Sequence, residues 1–136
     1  MKVTMKRINS AVHFIAYGSD GHSILMDGSE AIGGEGKGVR PMETVLMGLA
    51  GCSSIDMVMI LEKMRQKLDD IRIEVEAERA DSIPAVFTKI HVKFFLKGDL
   101  KEKKVAQAVD MAFQKYCSVS KMLEPTVEIT SSYVIN

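Results

Sequence analysis

Tryptophan is absent, proline occurs only three times, and the 136 residues include only two cysteines. Two cysteines exclude a disulfide framework, and they cannot complete a four-ligand zinc cage without histidines or carboxylates. There is no excess of one charge sign either. Eighteen Lys and Arg balance eighteen Asp and Glu, giving a formal net charge of zero, so no global basic field points to nucleic acid or an anionic membrane. Long apolar runs are missing as well: the longest strongly apolar stretch, Ile55 to Leu61, is broken by Asp56 and is too short to span a bilayer. The opening MKVTMKRINS has charges but no apolar core behind them, so it does not read as a secretory signal. The expected compartment is the cytoplasm, where thiols stay reduced. No internal repeat and no low-complexity linker is visible. What remains is 46% hydrophobic and 26% charged residues. That is the composition of one folded domain, or of one half of an intertwined dimer.

Local patterns order the chain. Val3 to Ile8, Ala11 to Tyr17 and Ser23 to Asp27 read as short strands separated by Asn-Ser and Gly-Ser-Asp-Gly turns, an N-terminal meander over 1–27. A glycine-rich loop follows over 28–40 and ends at Pro41, a residue suited to the first turn of a helix. Met42 to about Lys67 is helical in pattern, as two pieces meeting near Gly51-Cys52 or as one helix weakened there. Its second part is apolar on nearly every side and predicts a core helix. Ile71, Ile73, Val75 and Ala77 then alternate with charged residues, and after the turn ADSIPA so do Ile90, Val92, Phe94 and Leu96. In a hairpin of these two strands, one register sets the Glu row opposite Lys89, His91 and Lys93 as a solvated, charge-paired face. A helix from about Leu100 to Tyr116, a further turn at 118–123 and a last strand from Val127 to Ile135 complete an α+β order, βββ-α(α)-ββ-α(α)-β, with antiparallel strands expected.

Most motif readings fail on inspection. A phosphate loop ending at Gly36-Lys37 needs glycine at 31 and Ser or Thr at 38, where the chain has Ala31 and Gly38. A dinucleotide fingerprint from Gly34 has Val39 where a small residue belongs and a loop where a strand should precede it, so a flexible connector or lid is expected instead. His13, His22 and His91 have no ligand spacing, and structural or exposed roles are expected of them, with no resident metal. Ten methionines are accounted for by gap filling in the core, or by an apolar pocket. The cysteines, Cys52 and Cys117, each stand where a helix can begin, a place that favours thiolate over thiol. Asp56, one turn after Cys52, works against that. Two buried, inert thiols are the other reading.

Three segments together resemble the OsmC/Ohr family, the osmotically inducible and organic-hydroperoxide-resistance proteins. Arg40-Pro41-Met42-Glu43 resembles the family's Pro-x-Glu helix opening, Ala50-Gly51-Cys52-Ser53 the approach to its first cysteine, and Cys117-Ser118-Val119-Ser120 its Cys-Pro-x-Ser around the second. GHSILMDG, PMETVLMGLAGCSSID and KYCSVSKMLE are similar to the YhfA-like branch. The resemblance implies one OsmC-like domain over 1–136 in an intertwined homodimer, with antiparallel sheets wrapped around central helices. It also implies a cytoplasmic, thiol-dependent peroxidase for organic hydroperoxides. Cys52 would attack the peroxide, Cys117 would resolve it, and Glu43 would be the carboxylate that holds an arginine against the thiolate. No bound cofactor is implied, only an external dithiol reductant. The family's arginine has two candidates upstream of Cys52, Arg7 and Arg40, and Ser118 replaces the family's proline. The alternative is a non-catalytic dimer of the same fold that binds a small apolar or thiol-reactive ligand.

Overall fold

A computed structural model describes all residues, 1–136. The chain divides into two compact units, Met1–Met47 and Gly48–Asn136, and the division falls inside a helix.

The first unit carries a three-stranded antiparallel sheet: β1 (Thr4–Arg7), β2 (Phe14–Tyr17) and β3 (Ser23–Met26), in the order β1-β2-β3. The predicted meander is present, with strands shorter than the apolar patterns suggest. The glycine-rich loop is not a loose connector. Asp27, 2% exposed, gathers three backbone amides of the loop. Gly28 N donates to its Oδ1 at 2.8 Å, and Glu35 N and Lys37 N donate to its Oδ2 at 2.9 and 3.1 Å. Those amides, Glu35 first and Lys37 next, hold the Asp27 carboxyl below its ordinary value. A 3₁₀ turn at Glu30–Ile32 fills the intervening chain. Glycine is required at position 34, because a Cβ there would lie 1.8 Å from the Gly28 carbonyl oxygen. Val39 then bridges Met26 in parallel and delivers the chain to the next helix.

That helix, α1 (Pro41–Lys63), is a single 23-residue element running through Gly48 and Gly51 without a break. A Cβ at either glycine would meet nothing within 4 Å, so neither marks a close approach inside this chain. The core-helix expectation holds for one face only. Leu49, Met57, Ile60 and Leu61 are buried, while Val45, Met47, Ile55, Val58 and Met59 are exposed. By length and composition alone α1 would cross a bilayer, so folding joins a longer apolar element than the run Ile55 to Leu61 suggests. Such a helix is equally the core helix of a packed domain, and four of its apolar side chains are spent that way here.

In the second unit, β4 (Lys67–Arg79) and β5 (Phe87–Asp99) form the predicted antiparallel hairpin. The register sets Glu74 opposite Lys93, Glu76 opposite His91 and Glu78 opposite Lys89, in keeping with the charge rows. Ile90, Val92, Phe94 and Leu96 of β5 point into the core. α2 (Glu102–Met111) buries Val105, Ala108 and Val109. It then widens into a π turn, Ala112–Tyr116. This wider turn breaks the 3.6-residue period, and Tyr116, expected on the buried stripe, is exposed. α3 (Ser118–Leu123) precedes β6 (Glu128–Ile135). β6 pairs with β5 in parallel, not antiparallel as expected, with Ile90 opposite Ile129 and Phe94 opposite Tyr133. The physical reason is the connection: β5 returns to the sheet through α2 and α3, and a helical crossover brings the next strand back in the same direction.

Candidate active site

Two elements of the second unit bring the cysteines together. Cys52 lies about three turns inside α1, not at a helix start. The amides that stabilise a thiolate at a helix N-terminus are therefore engaged in helix hydrogen bonds at this position. Cys117 is where the sequence put it, at the N-cap of α3. The π turn sets its place, since Cys117 N donates to the Ala112 carbonyl at 2.7 Å. Ser120 fixes it from the other side: its amide donates to Cys117 Sγ at 3.5 Å and its hydroxyl to the Cys117 carbonyl at 2.9 Å.

The two sulfurs and a carboxylate oxygen of Asp56 all lie within 4.8 Å of one another. Cys52 and Asp56 share a face of α1 because they are four residues apart. Both cysteines are free thiols, Cys117 buried and Cys52 part-exposed. Burial pushes the Cys117 thiol above its ordinary 9.0, the neighbouring Cys52 sulfur adds to the rise, and the Ser120 hydrogen bonds offset it only in part. Burial likewise pushes the Asp56 carboxyl above its ordinary 3.8. Its Oδ2 is buried with no hydrogen-bond partner, and Asp56 takes part in no ion pair. This orphaned oxygen lies one helical turn from Cys52, on the carboxylate that interrupts the apolar run in the sequence.

Glu43 is not in the cluster. It is exposed at the start of α1, where its Oε2 accepts the Arg40 amide at 3.0 Å, half of a capping box. The Arg40 guanidinium donates to the Gly28 carbonyl. Arg7, on β1, is exposed. The histidines are outside the cluster as well. His91 sits between Thr130 Oγ1 at 2.7 Å and Ser132 Oγ at 2.8 Å on the sheet face, His22 is exposed beside Asp20, and His13 is buried.

An α+β chain with a helical crossover into its last strand, and two thiols from separate helices meeting beside a carboxylate, defines a class of paired-cysteine proteins. The chain belongs to the OsmC-like protein family, whose model matches residues 34–132. It is 46% identical over 123 residues to Protein YhfA of Escherichia coli strain K12, covering 90% of this chain and 89% of that one. Among solved structures, a hypothetical protein from Aquifex aeolicus VF5 matches with a TM-score of 0.82 at 31% identity, over 99% of this chain and 96% of that chain. An organic hydroperoxide resistance protein OsmC from Legionella pneumophila matches with a TM-score of 0.74, over 98% of this chain and 96% of that chain. At 17% identity it shares the fold alone.

Proposed function

We propose that the protein is a thiol-dependent peroxidase that reduces organic hydroperoxides in the cytoplasm through the Cys52–Cys117 pair. The observation that carries this reading is the meeting of two free thiols, far apart in sequence, within 4.8 Å. Exposure in the single chain supports Cys52 as the attacking thiol, since Cys52 is part-exposed and Cys117 is buried. The Cys52 thiolate attacks the O–O bond and, with one proton, yields Cys52 sulfenic acid and the alcohol. The Cys117 thiol then displaces water from the sulfenic acid and forms a disulfide. An external dithiol returns both cysteines to thiols by exchange and leaves as its own disulfide. The two sulfurs carry both electrons, so no bound cofactor is needed. A disulfide is about 2.05 Å long, so both side chains swing inward to close it.

The working unit in this reading is a homodimer. The apolar face of α1 with Ile55, Val58 and Met59 is open in the single chain, and a second copy covers it. Glu43 braces the start of α1, and through it Arg40.

Hydroperoxide consumption with a dithiol reductant tests the reading. Wild type should turn over organic hydroperoxide, Cys52→Ser should be inactive, and Cys117→Ser should stop after one oxidation per chain. Equal slow rates for wild type and Cys52→Ser would sink it. A second reading, a non-catalytic dimer binding a small thiol-reactive or apolar ligand, draws on the carboxylate that stands beside the sulfurs. Tight ligand binding retained by Cys52→Ser, with no peroxide turnover, would favour it.

A further inference from the structure

The third member of the cluster is not used by the thiol chemistry above. Asp56 adds a carboxylate to two sulfurs, with all three ligand atoms within 4.8 Å of one another. In a tetrahedral zinc site, Zn–S bonds of about 2.3 Å and Zn–O bonds of about 2.0–2.2 Å set ligand atoms roughly 3.4–3.8 Å apart. Ligand atoms no more than 4.8 Å apart reach that spacing by contracting at most about 1.4 Å, within the range of side-chain torsions. Its frame is already fixed. Cys52 and Asp56 project from one face of a continuous helix, and Cys117 is held by Ala112 and Ser120. The buried Asp56 Oδ2 has no donor in the protein, and a bound cation would satisfy it. Two thiolates select thiophilic ions over magnesium and calcium. Three protein ligands leave one position open, as in sites that exchange a ligand and not in closed structural cages.

We propose that the reduced protein binds a thiophilic divalent cation of the zinc class through Cys52 Sγ, Cys117 Sγ and the Asp56 carboxylate, one ion per chain, with a fourth position open. Binding replaces the thiol protons, so it releases protons and strengthens with rising pH. One consequence rests on the peroxidase reading: metal and hydroperoxide compete for the same sulfurs. Oxidation of the loaded site would consume one hydroperoxide and two protons, and would release the disulfide form, the alcohol, water and the free cation.

The test uses the full-length reduced protein without peroxide, so its outcome does not depend on turnover. Cobalt(II) reports thiolate ligation by a sulfur-to-metal charge-transfer band, and zinc titration in a competing chelator gives the affinity. The expected result is one cobalt per chain with a two-thiolate band, displaced by zinc and absent from the disulfide form. Cys52→Ser and Cys117→Ser should each lose about half of the band. Asp56→Asn, which keeps the side chain's shape, should keep the two-thiolate band and weaken zinc binding by at least about 10-fold, since losing even an outer-shell partner of a ligand costs about 10-fold to 100-fold. Absence of a charge-transfer band would overturn the proposal. So would zinc binding by Cys52→Ser or Asp56→Asn as tight as that of wild type, since the ion would then sit elsewhere.

Discussion

Cys52 and Cys117 differ in exposure, and the proposed division of roles between them follows that difference. Cys117 is 2% exposed, with its thiol raised by burial, while Cys52 is open to solvent on one side. A nucleophile needs both access and a thiolate fraction. In native, metal-free reduced protein, an alkylating reagent should therefore modify Cys52 at least about tenfold faster than Cys117. Peptide mass analysis of a time course reads the order, and Cys117 reacting first would reverse the assigned roles. Asp56 shows how much one side chain alters the site. The sequence marks it as an opponent of the Cys52 thiolate, and the structure places it beside both sulfurs with an oxygen to spare.

At the scale of elements, the glycine-rich loop and α1 depart furthest from expectation. The loop reads as a flexible connector because glycines dominate it, yet one buried carboxylate organises it through three amides. The native Asp27 carboxyl lies below its ordinary 3.8. Its ionised form therefore stabilises the fold at all pH above that ordinary value, and the contribution is lost as pH falls through the lowered native value. Asp27→Asn should lower the unfolding temperature at neutral pH, and the gap to wild type should close in acid. Hydrogen exchange at the Glu35 and Lys37 amides should accelerate by about tenfold or more as the loop loses its anchor. A gap independent of pH would show that the carboxylate charge is not what holds the loop. The hairpin of β4 and β5 is the opposite case. Its pairing was legible because an apolar row and two charge rows of opposite sign fix which faces meet, while slips of two residues keep those faces and only the structure selects among them.

For the whole molecule, the open face of α1 is where the proposed second copy would pack. Ile55 and Met59, four residues apart on one helical face, are 66% and 49% exposed in the single chain. Burying a side chain of that size contributes roughly 1.5–3 kcal/mol. Ile55→Lys or Met59→Lys should therefore raise the dimer dissociation constant by about tenfold to a hundredfold for each side chain lost. Light scattering across a concentration series should show a wild-type dimer and a mixed or monomeric variant. A monomeric wild type would remove the dimer from the functional reading.

The α+β order, the hairpin with its opposed charge rows, the two cysteines and the family motifs around them were written in the sequence, because periodicity, charge rows and local motifs are properties of neighbours in the chain. The parallel return of β6, the unbroken α1 through two glycines and the π turn that seats Cys117 came only with the tertiary structure. β6 is placed by its pairing with β5, a contact between segments distant in sequence, and in α1 helix continuity overrides the weak local preference of two glycines. The same holds for the site. Composition said that two cysteines need a carboxylate or a histidine to make anything of a metal, and only folding showed that Asp56 is the residue that stands beside both.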